Sequence, residues 1–246
     1  MTKKTWLIFG AICIALLGGL IYASRGNRID VSNVDTKVAQ SASEQSGNIG
    51  DHTYGNTSSK VVLIEYGDYQ CPGCASSYLA IKQVVDKYKD KMGFIFRSYP
   101  LYTSHPNAFA AAAAAEAAGL QGKFWEMHDK LYSDQSAWNQ LTGTSRTEYF
   151  VSVAKSIGID GDKLQSELDN PNIKRKIDFD KILGEKDKVT GTPGFYINGR
   201  NVSDQYFKDG KIVSKNTQGA AVVWSNAEAF EKLVIIPALK EAGINI

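Results

Sequence analysis

The stretch that decides the fold is residues 60–74, KVVLIEYGDYQCPGC. It opens with Lys60–Tyr66, a β-branched and apolar run that has the length of a strand. Two cysteines separated by two residues follow, Cys71 and Cys74. Beyond them, apolar side chains recur at the spacing of one helix face, at Tyr78, Ile81, Val85 and Tyr88. The sequence therefore predicts a buried strand and then a helix whose first turn carries the two cysteines.

The position of the cysteines at a helix start predicts redox chemistry. The thiolate is the reactive form of cysteine, and the N–H groups at a helix N-terminus stabilise negative charge. The i, i+3 spacing brings both sulfurs within reach of a disulfide, with Cys71 exposed and Cys74 covered beneath it. Pro72 suits the first turn because that turn does not need its missing N–H. A CxxC between a strand and a helix is typical of a redox-active pair, here Cys71–Cys74.

A metal site and a nucleic-acid interface are less well supported. Zinc requires four ligands, usually from a second CxxC or from paired histidines. His52, His105 and His128 are scattered, so we expect no metal site, although metal binding and an inert structural pair remain alternatives. We interpret His105 and His128 as core or cap histidines, with a catalytic role as the alternative. The net charge of +2, without a basic block beside aromatic residues, gives no reason to expect nucleic acid.

A second motif lies far downstream, at residues 191–199, GTPGFYING. A short apolar strand is entered there directly from Thr-Pro and is left through Asn-Gly, which is a hairpin turn signal. From the residues alone, Pro193 could be an ordinary trans proline, since most X–Pro bonds are trans.

With EYGDYQCPGC at 65–74 and HPNAF at 105–109, this motif makes the chain resemble the DsbA family of the thioredoxin superfamily. The likeness covers most of the stretch from Asp51 to Gly199. It implies an α/β thioredoxin fold with a helical domain inserted at about residues 104–189.

The resemblance also implies a substrate-binding surface around the cysteines. Pro193 would be cis and would face the active-site disulfide, and the backbone of Thr192 would hydrogen-bond an incoming substrate strand. Pro72 and Gly73, between the cysteines, would complete this surface.

Glu65 is the third candidate catalytic residue and lies six positions before Cys71, among apolar neighbours. A buried ionisable group is costly unless it is used, and such groups cluster at functional sites. The resemblance implies a glutamate beneath the disulfide that exchanges protons with the buried Cys74. The alternative is a carboxylate in water at the strand edge.

The activity implied by the resemblance is that of a protein dithiol–disulfide oxidoreductase. It would introduce disulfides into exported proteins that have free cysteines, without a cofactor. A membrane quinone-linked partner of the DsbB or VKOR type would re-oxidise it, and the chain is expected to be a monomer. The alternatives are a reductase or isomerase on the same scaffold, or a non-catalytic peptide- or metal-binding module.

Residues 1–23 are predicted to form an N-terminal transmembrane helix. Trp6–Ala23 run 18 positions without a charge, which suits one membrane-spanning helix, and Lys3 and Lys4 favour a cytoplasmic N-terminus. The chain would then be a single-pass protein of the cell membrane, acting through a signal-anchor, with its catalytic domain outside the cytoplasm. A cleaved signal peptide is the alternative, but the small residue two places before Ala23 is lacking.

The remainder is predicted to form a flexible polar tether, 24–52, and one DsbA-like domain, 53–246. In that domain, about five helices should lie between a second strand, Met92–Tyr99, and the motif at 191–199.

The C-terminal part carries weaker signals. Residues 201–224 should form a hairpin at Asp209–Gly210 that completes the sheet. The last helix should begin with a capping box at Ser225–Glu228 and be kinked at Pro237.

Overall fold

A computed structural model describes residues 2–26 and 28–246 of the chain, which divides into two units, Met1–Asn33 and Val34–Ile246. The first unit contains helix α1, Lys3–Gly26. In the described ranges, no helix is both long enough and apolar enough to cross a membrane. The predicted transmembrane helix over 1–23 is therefore not supported, and the side chains of its last residues, 20–23, lie outside the described part.

The second unit is built on a five-stranded mixed sheet with the strand order β1-β3-β2-β4-β5. Its strands are β1 His52–Gly55, β2 Val62–Gly67, β3 Gly93–Ser98, β4 Gly194–Ile197 and β5 Arg200–Asn201. The central pair, β2 and β3, is parallel, and every other neighbouring pair is antiparallel. Helix α2, Pro72–Tyr88, connects β2 to β3, as the CxxC segment predicted.

The two faces of the sheet have different covers, because successive side chains of a strand point to opposite faces. Leu63 packs in one apolar cluster with Ile81 and Val85 of α2, so α2 covers that face. Glu65 lies two positions further along β2 and therefore points to the same side, beneath the start of α2. Tyr66 points to the other face, where its hydroxyl donates to Asp187 at 2.7 Å.

The predicted helical insertion is present between β3 and β4. It comprises α3 Ala108–Gly119, α4 Phe124–Ser133, α5 Gln135–Trp138, α6 Gly143–Ser156, α7 Gly161–Glu167 and α8 Pro171–Lys186. Its interior forms a second apolar cluster, which also takes in Cys71 and Cys74. The insertion therefore packs directly on the cysteine pair.

Residues 34–50, which we call the strap, differ from the flexible tether predicted over 24–52. The guanidinium of Arg97, fully buried in β3, donates to the carbonyls of Thr36 at 2.7 Å and Val38 at 2.9 Å. It also donates to the carboxylate of Asp51 at 2.8 Å. A buried guanidinium has five donors to satisfy, and backbone carbonyls of the strap accept two of these bonds. The polar side chains of the strap do not reveal this role.

The C-terminal region forms the predicted hairpin, but in a separate sheet. Strands β6 Tyr206–Lys208, β7 Lys211–Val213 and β8 Ala221–Val222 are ordered β7-β6-β8, apart from the five-stranded sheet. The final helix is in three pieces, α9 Ala227–Phe230, a π-helical turn Glu231–Ile235 and α10 Ile236–Glu241. The π turn comes directly before the piece that carries Pro237, where the sequence predicted a kink. Asn226, and not Ser225, caps its start.

Candidate active site

Cys71 and Cys74 occupy unequal positions at the start of α2. Cys71 is the residue that precedes the first helical turn, and Pro72 is the first residue of that turn. Cys71 is 7% exposed and Cys74 is fully buried. Both are free thiols in this structure. Cys71 is thus less open to solvent than predicted, because the insertion and the Thr192–Pro193 segment both contact it, but the order of exposure is the predicted one.

The environment of Cys71 favours its thiolate. A hydrogen bond from the Cys74 thiol contributes most, and contacts with Thr192 and with the backbone N–H groups of Cys74 and Gly73 add to it. Together they lower the pKa of Cys71 to about 5, although burial acts in the opposite direction. A thiol with this pKa is ionised at neutral pH and is a good leaving group in disulfide exchange.

Cys74 has the opposite tendency. Burial raises its pKa well above the ordinary value, and the bond to Cys71 and the charges of Cys71 and Glu65 add to this effect. Its sulfur therefore has to hold a proton whenever it is not in a disulfide. The two cysteines can play different chemical parts although they are three residues apart.

The Thr192–Pro193 segment lies against the cysteines, as the resemblance implied. The peptide bond between these two residues is cis. The carbonyl oxygen of Thr192 is 3.3 Å from the Cys71 sulfur. A Cβ added at Gly73 would lie 3.3 Å from Pro193 Cδ and 3.6 Å from that sulfur, so a larger residue would crowd this contact. Pro72 beside it is exposed, and the segment and the CxxC together form one surface.

Glu65 is buried beneath the pair, with 4% of its surface exposed. It pairs in register with Phe96 of β3 and Phe195 of β4, so it lies in the middle of the sheet and not at an edge in water. Burial, with a smaller effect of the Cys71 charge, raises its pKa to about 8. The carboxyl is therefore mostly protonated at neutral pH and can donate a proton.

Contacts that involve Gln135, Asn107 and His105 hold the loop in front of the cysteines. Gln135 donates from its amide nitrogen to the carbonyl oxygens of Tyr69 at 2.8 Å and Cys71 at 3.1 Å. The backbone N–H of Asn107 donates to the Gln70 side chain at 2.6 Å. His105, expected to be a core or cap residue, contacts the buried Asp68 carboxylate through Nδ1 at 2.7 Å. The HPNAF motif at 105–109 was the available signal for the last two contacts.

A cavity of about 200 Å³ adjoins this surface, between the Thr192–Pro193 segment and the small sheet. Its lining includes Thr192, Asp204, Tyr206 and Trp224. The region 201–224 thereby borders the site, a position that its sequence did not reveal. Among the residues that the structure describes, no group of three or more His, Cys, Asp or Glu side chains could hold a metal ion.

Comparisons with known proteins agree with this geometry. A family model described as thioredoxin matches residues 47–212. BdbD from Bacillus subtilis has the same fold, with a TM-score of 0.59 at 22% identity, over 82% of this chain and 98% of that one. The thiol-disulfide exchange protein alpha-DsbA2 from Wolbachia pipientis has a TM-score of 0.52 at 25% identity, over 64% of this chain and 81% of that one.

Curated relatives match over part of their length. The Na(+)/H(+) antiporter NhaA 1 of Salinispora arenicola is 34% identical over 156 residues, which are 63% of this chain and 23% of the antiporter. A second NhaA 1, from Mycolicibacterium vanbaalenii, is 33% identical over 151 residues, which are 61% of this chain and 23% of that antiporter. The chain thus spans about a quarter of the length of these curated relatives.

Proposed function

Since the chain belongs to the thioredoxin family, we propose that it is a thiol–disulfide oxidoreductase that introduces disulfides into exported proteins. The observation that carries this proposal is the unequal pair: Cys71 has a pKa lowered to about 5, and Cys74 is fully buried with a raised pKa. A stabilised thiolate favours the reduced form of the pair, and a protein whose reduced form is stabilised is an oxidant for other thiols.

The reaction begins with the pair oxidised. A substrate thiolate attacks the Cys71 sulfur, a mixed disulfide forms, and the electron pair of the broken Cys71–Cys74 bond passes to the Cys74 sulfur. Glu65, whose pKa is raised to about 8, supplies the proton that this buried sulfur needs. A second substrate thiolate then attacks the substrate's own sulfur in the mixed disulfide, and Cys71 leaves as a thiolate. The substrate loses two electrons and the enzyme gains them.

Substrate binding is assigned to the surface around Cys71. The backbone of Thr192 would hydrogen-bond an extended substrate chain, which would lie over Pro193, Pro72 and Gly73. The carbonyl of Thr192 already lies 3.3 Å from the reacting sulfur, so a chain paired there would bring its cysteine to Cys71.

Re-oxidation requires an acceptor for the two electrons. We assign it to a quinone-linked membrane protein of the DsbB or VKOR type, beside which this chain would be held as a single-pass protein of the cell membrane. The support for this location is the uncharged run Trp6–Ala23, and alkaline extraction of membranes that contain the full chain tests it.

The reduction potential of the pair tests the direction of the reaction. We expect a reduction potential between about −200 mV and the roughly −120 mV of DsbA, well above the roughly −270 mV of thioredoxin. The measurement is the equilibrium of the full chain with mixtures of reduced and oxidised glutathione. A value near that of thioredoxin would favour a reductase. An isomerase would have to reshuffle scrambled disulfides in the same assay conditions.

A further inference from the structure

A cleft between α2, α4 and the sheet leads from the surface to Glu65. Its lining includes the apolar side chains Ile81, Val85, Phe94 and Trp125. Lys82, Asp86 and Asp129 stand at its rim and are 39%, 43% and 33% exposed. The cavity volume is about 40 Å³, more than the roughly 10–15 Å³ that one water molecule requires. The buried carboxyl therefore has a route to solvent that does not pass Cys71.

His128 connects the rim of this cleft with its interior. Its Nδ1 contacts the Asp129 carboxylate at 3.2 Å, and that carboxylate also accepts from Lys82 at 3.1 Å. Its Nε2 is buried and has no hydrogen-bond partner among the described residues. Burial lowers the pKa of His128 against the effect of Asp129, so the ring is neutral near pH 7. In the tautomer that donates from Nδ1 to Asp129, Nε2 is a buried acceptor without a partner among the described residues.

Two more polar atoms in the interior lack partners. The hydroxyls of Tyr69 and Tyr132 are buried and make no hydrogen bond to any described residue. Their rings lie 5.7 Å and 5.1 Å from the His128 ring. The ring of Phe96, the register partner of Glu65, lies 4.8 Å from the His128 ring. Three polar atoms around Glu65 are thus available to bond water, which meets a demand of the reaction.

That demand is proton transfer. In every turnover under the proposed function, the Cys74 sulfur takes a proton from Glu65. A carboxylate is then left in the sheet with 4% exposure, a costly state until it regains a proton. The proton has to come from solvent, and Cys71 with its bound substrate blocks the path from solvent past the cysteine pair to Glu65.

We propose that His128, together with Asp129, relays the proton between solvent and Glu65 through this cleft. This inference rests on the proposed function. The imidazole, whose Nδ1–H stays bonded to Asp129, accepts at Nε2 a proton that enters the cleft from solvent and passes that proton on to the Glu65 carboxylate. Asp129 stabilises the imidazolium between these two transfers. His128 acts through Glu65, so it is a relay and not a catalytic residue.

The other groups that face His128 set its protonation. They are His52 and Tyr54 of β1, Tyr78 and Lys82 of α2, Glu65 of β2, Tyr69 of the loop, and Asp129 and Tyr132 of α4. Lys82 and His52 disfavour the imidazolium, and Asp129 favours it. His52 is itself held by Glu116 at 2.8 Å, away from the cleft.

The test is a double-mutant cycle on the steady-state rate at which the full chain catalyses oxidation of a dithiol peptide by glutathione disulfide, measured from pH 6 to 9. Repeated turnovers are needed because Glu65 has to regain its proton between them. His128→Leu should slow the reaction about 10- to 100-fold near pH 7, within the range of general acid–base contributions. Glu65→Gln should also slow it, and the double variant should be no slower than the slower single one. His128→Gly with added imidazole should recover rate in proportion to the neutral imidazole present.

Two surface variants keep the test decisive if His128 substitutions unfold the chain. Asp129→Asn should slow the reaction several-fold, whereas Asp86→Asn, which removes a rim carboxylate bonded to Tyr54 instead, should not. The relay is overturned if the double variant at His128 and Glu65 is slowed by the product of the two single effects. It is also overturned if the two aspartate variants slow the reaction equally. In both cases the proposed function stands. A native chain that does not exchange with dithiols at all overturns both.

Discussion

At the scale of single residues, the site shifts the pKa values of two neighbouring groups, Cys71 and Glu65, in opposite directions. The pKa of Cys71 is lowered to about 5 by hydrogen bonds to its sulfur, and the pKa of Glu65 is raised to about 8 by burial. In the unfolded chain both groups return to ordinary values. The two shifts therefore affect stability in opposite directions as pH changes.

Removal of Glu65 should make this opposition visible. Between about pH 5 and 8, folded Glu65 keeps a proton that the unfolded chain has lost, so its contribution to stability falls as pH rises. Glu65→Gln should therefore gain stability over the native reduced chain by about 1.4 kcal/mol per pH unit in this window and level off above pH 8. Urea unfolding of the reduced protein at pH 5, 6, 7 and 8 measures the difference.

The matched control is Glu148→Gln, since Glu148 is exposed on α6. It should differ from the native chain by a constant amount across the same window. If Glu65→Gln behaves in the same way as this control, Glu65 is not held protonated and cannot be the proton donor to Cys74.

At the scale of elements, the strap, residues 34–50, is the part whose structure the sequence predicted least well. Its attachment depends on a buried ionic cluster in which the Asp51 carboxylate accepts from Arg97 at 2.8 Å and from Lys176 at 3.1 Å. All three side chains are fully buried. The three residues are far apart in the chain, and none is conspicuous in composition or periodicity.

Asp51→Asn should loosen this attachment. Two buried cations would lose their shared counter-charge, and breaking a buried pair in this way costs about 3–5 kcal/mol. The free energy of unfolding, from urea titration, measures the loss. Glu241→Gln is the control, because Glu241 pairs with Arg200 at 3.4 Å on the surface and should matter little. Equal small losses for both variants would show that the cluster does not hold the strap.

At the scale of the whole molecule, local signals predicted the fold and pointed to most of the residues that lie together at the candidate site. The strand, CxxC and helix follow from patterns within one stretch, and Pro193 and Thr192 follow from a motif that the family resemblance interprets. Gln135 contacts the backbone of Cys71 across 64 positions, so no local pattern reports it. The sequence predicts only a core or cap position for His128. Its unpaired Nε2 gains a role only because the tertiary structure places His128 and Glu65 in the same cleft.

The second sheet shows the same limit. The hairpin at Asp209–Gly210 was predicted from its turn, whereas its place in a separate sheet depends on pairing between β6 and β8, which no turn signal contains.

Trapping of mixed disulfides tests the central claim, that only Cys71 meets the substrate and that Cys74, buried beneath it, completes the enzyme's own disulfide. Cys74→Ser leaves Cys71 able to form a mixed disulfide but removes the thiol that could displace the substrate and return the chain to its own disulfide. Cys71→Ser leaves only a fully buried sulfur. Each variant is expressed in cells as the full chain, and adducts with exported proteins are counted on non-reducing gels. We expect many adducts with Cys74→Ser and almost none with Cys71→Ser, whereas equal trapping by the two variants, or trapping by neither, would contradict the account.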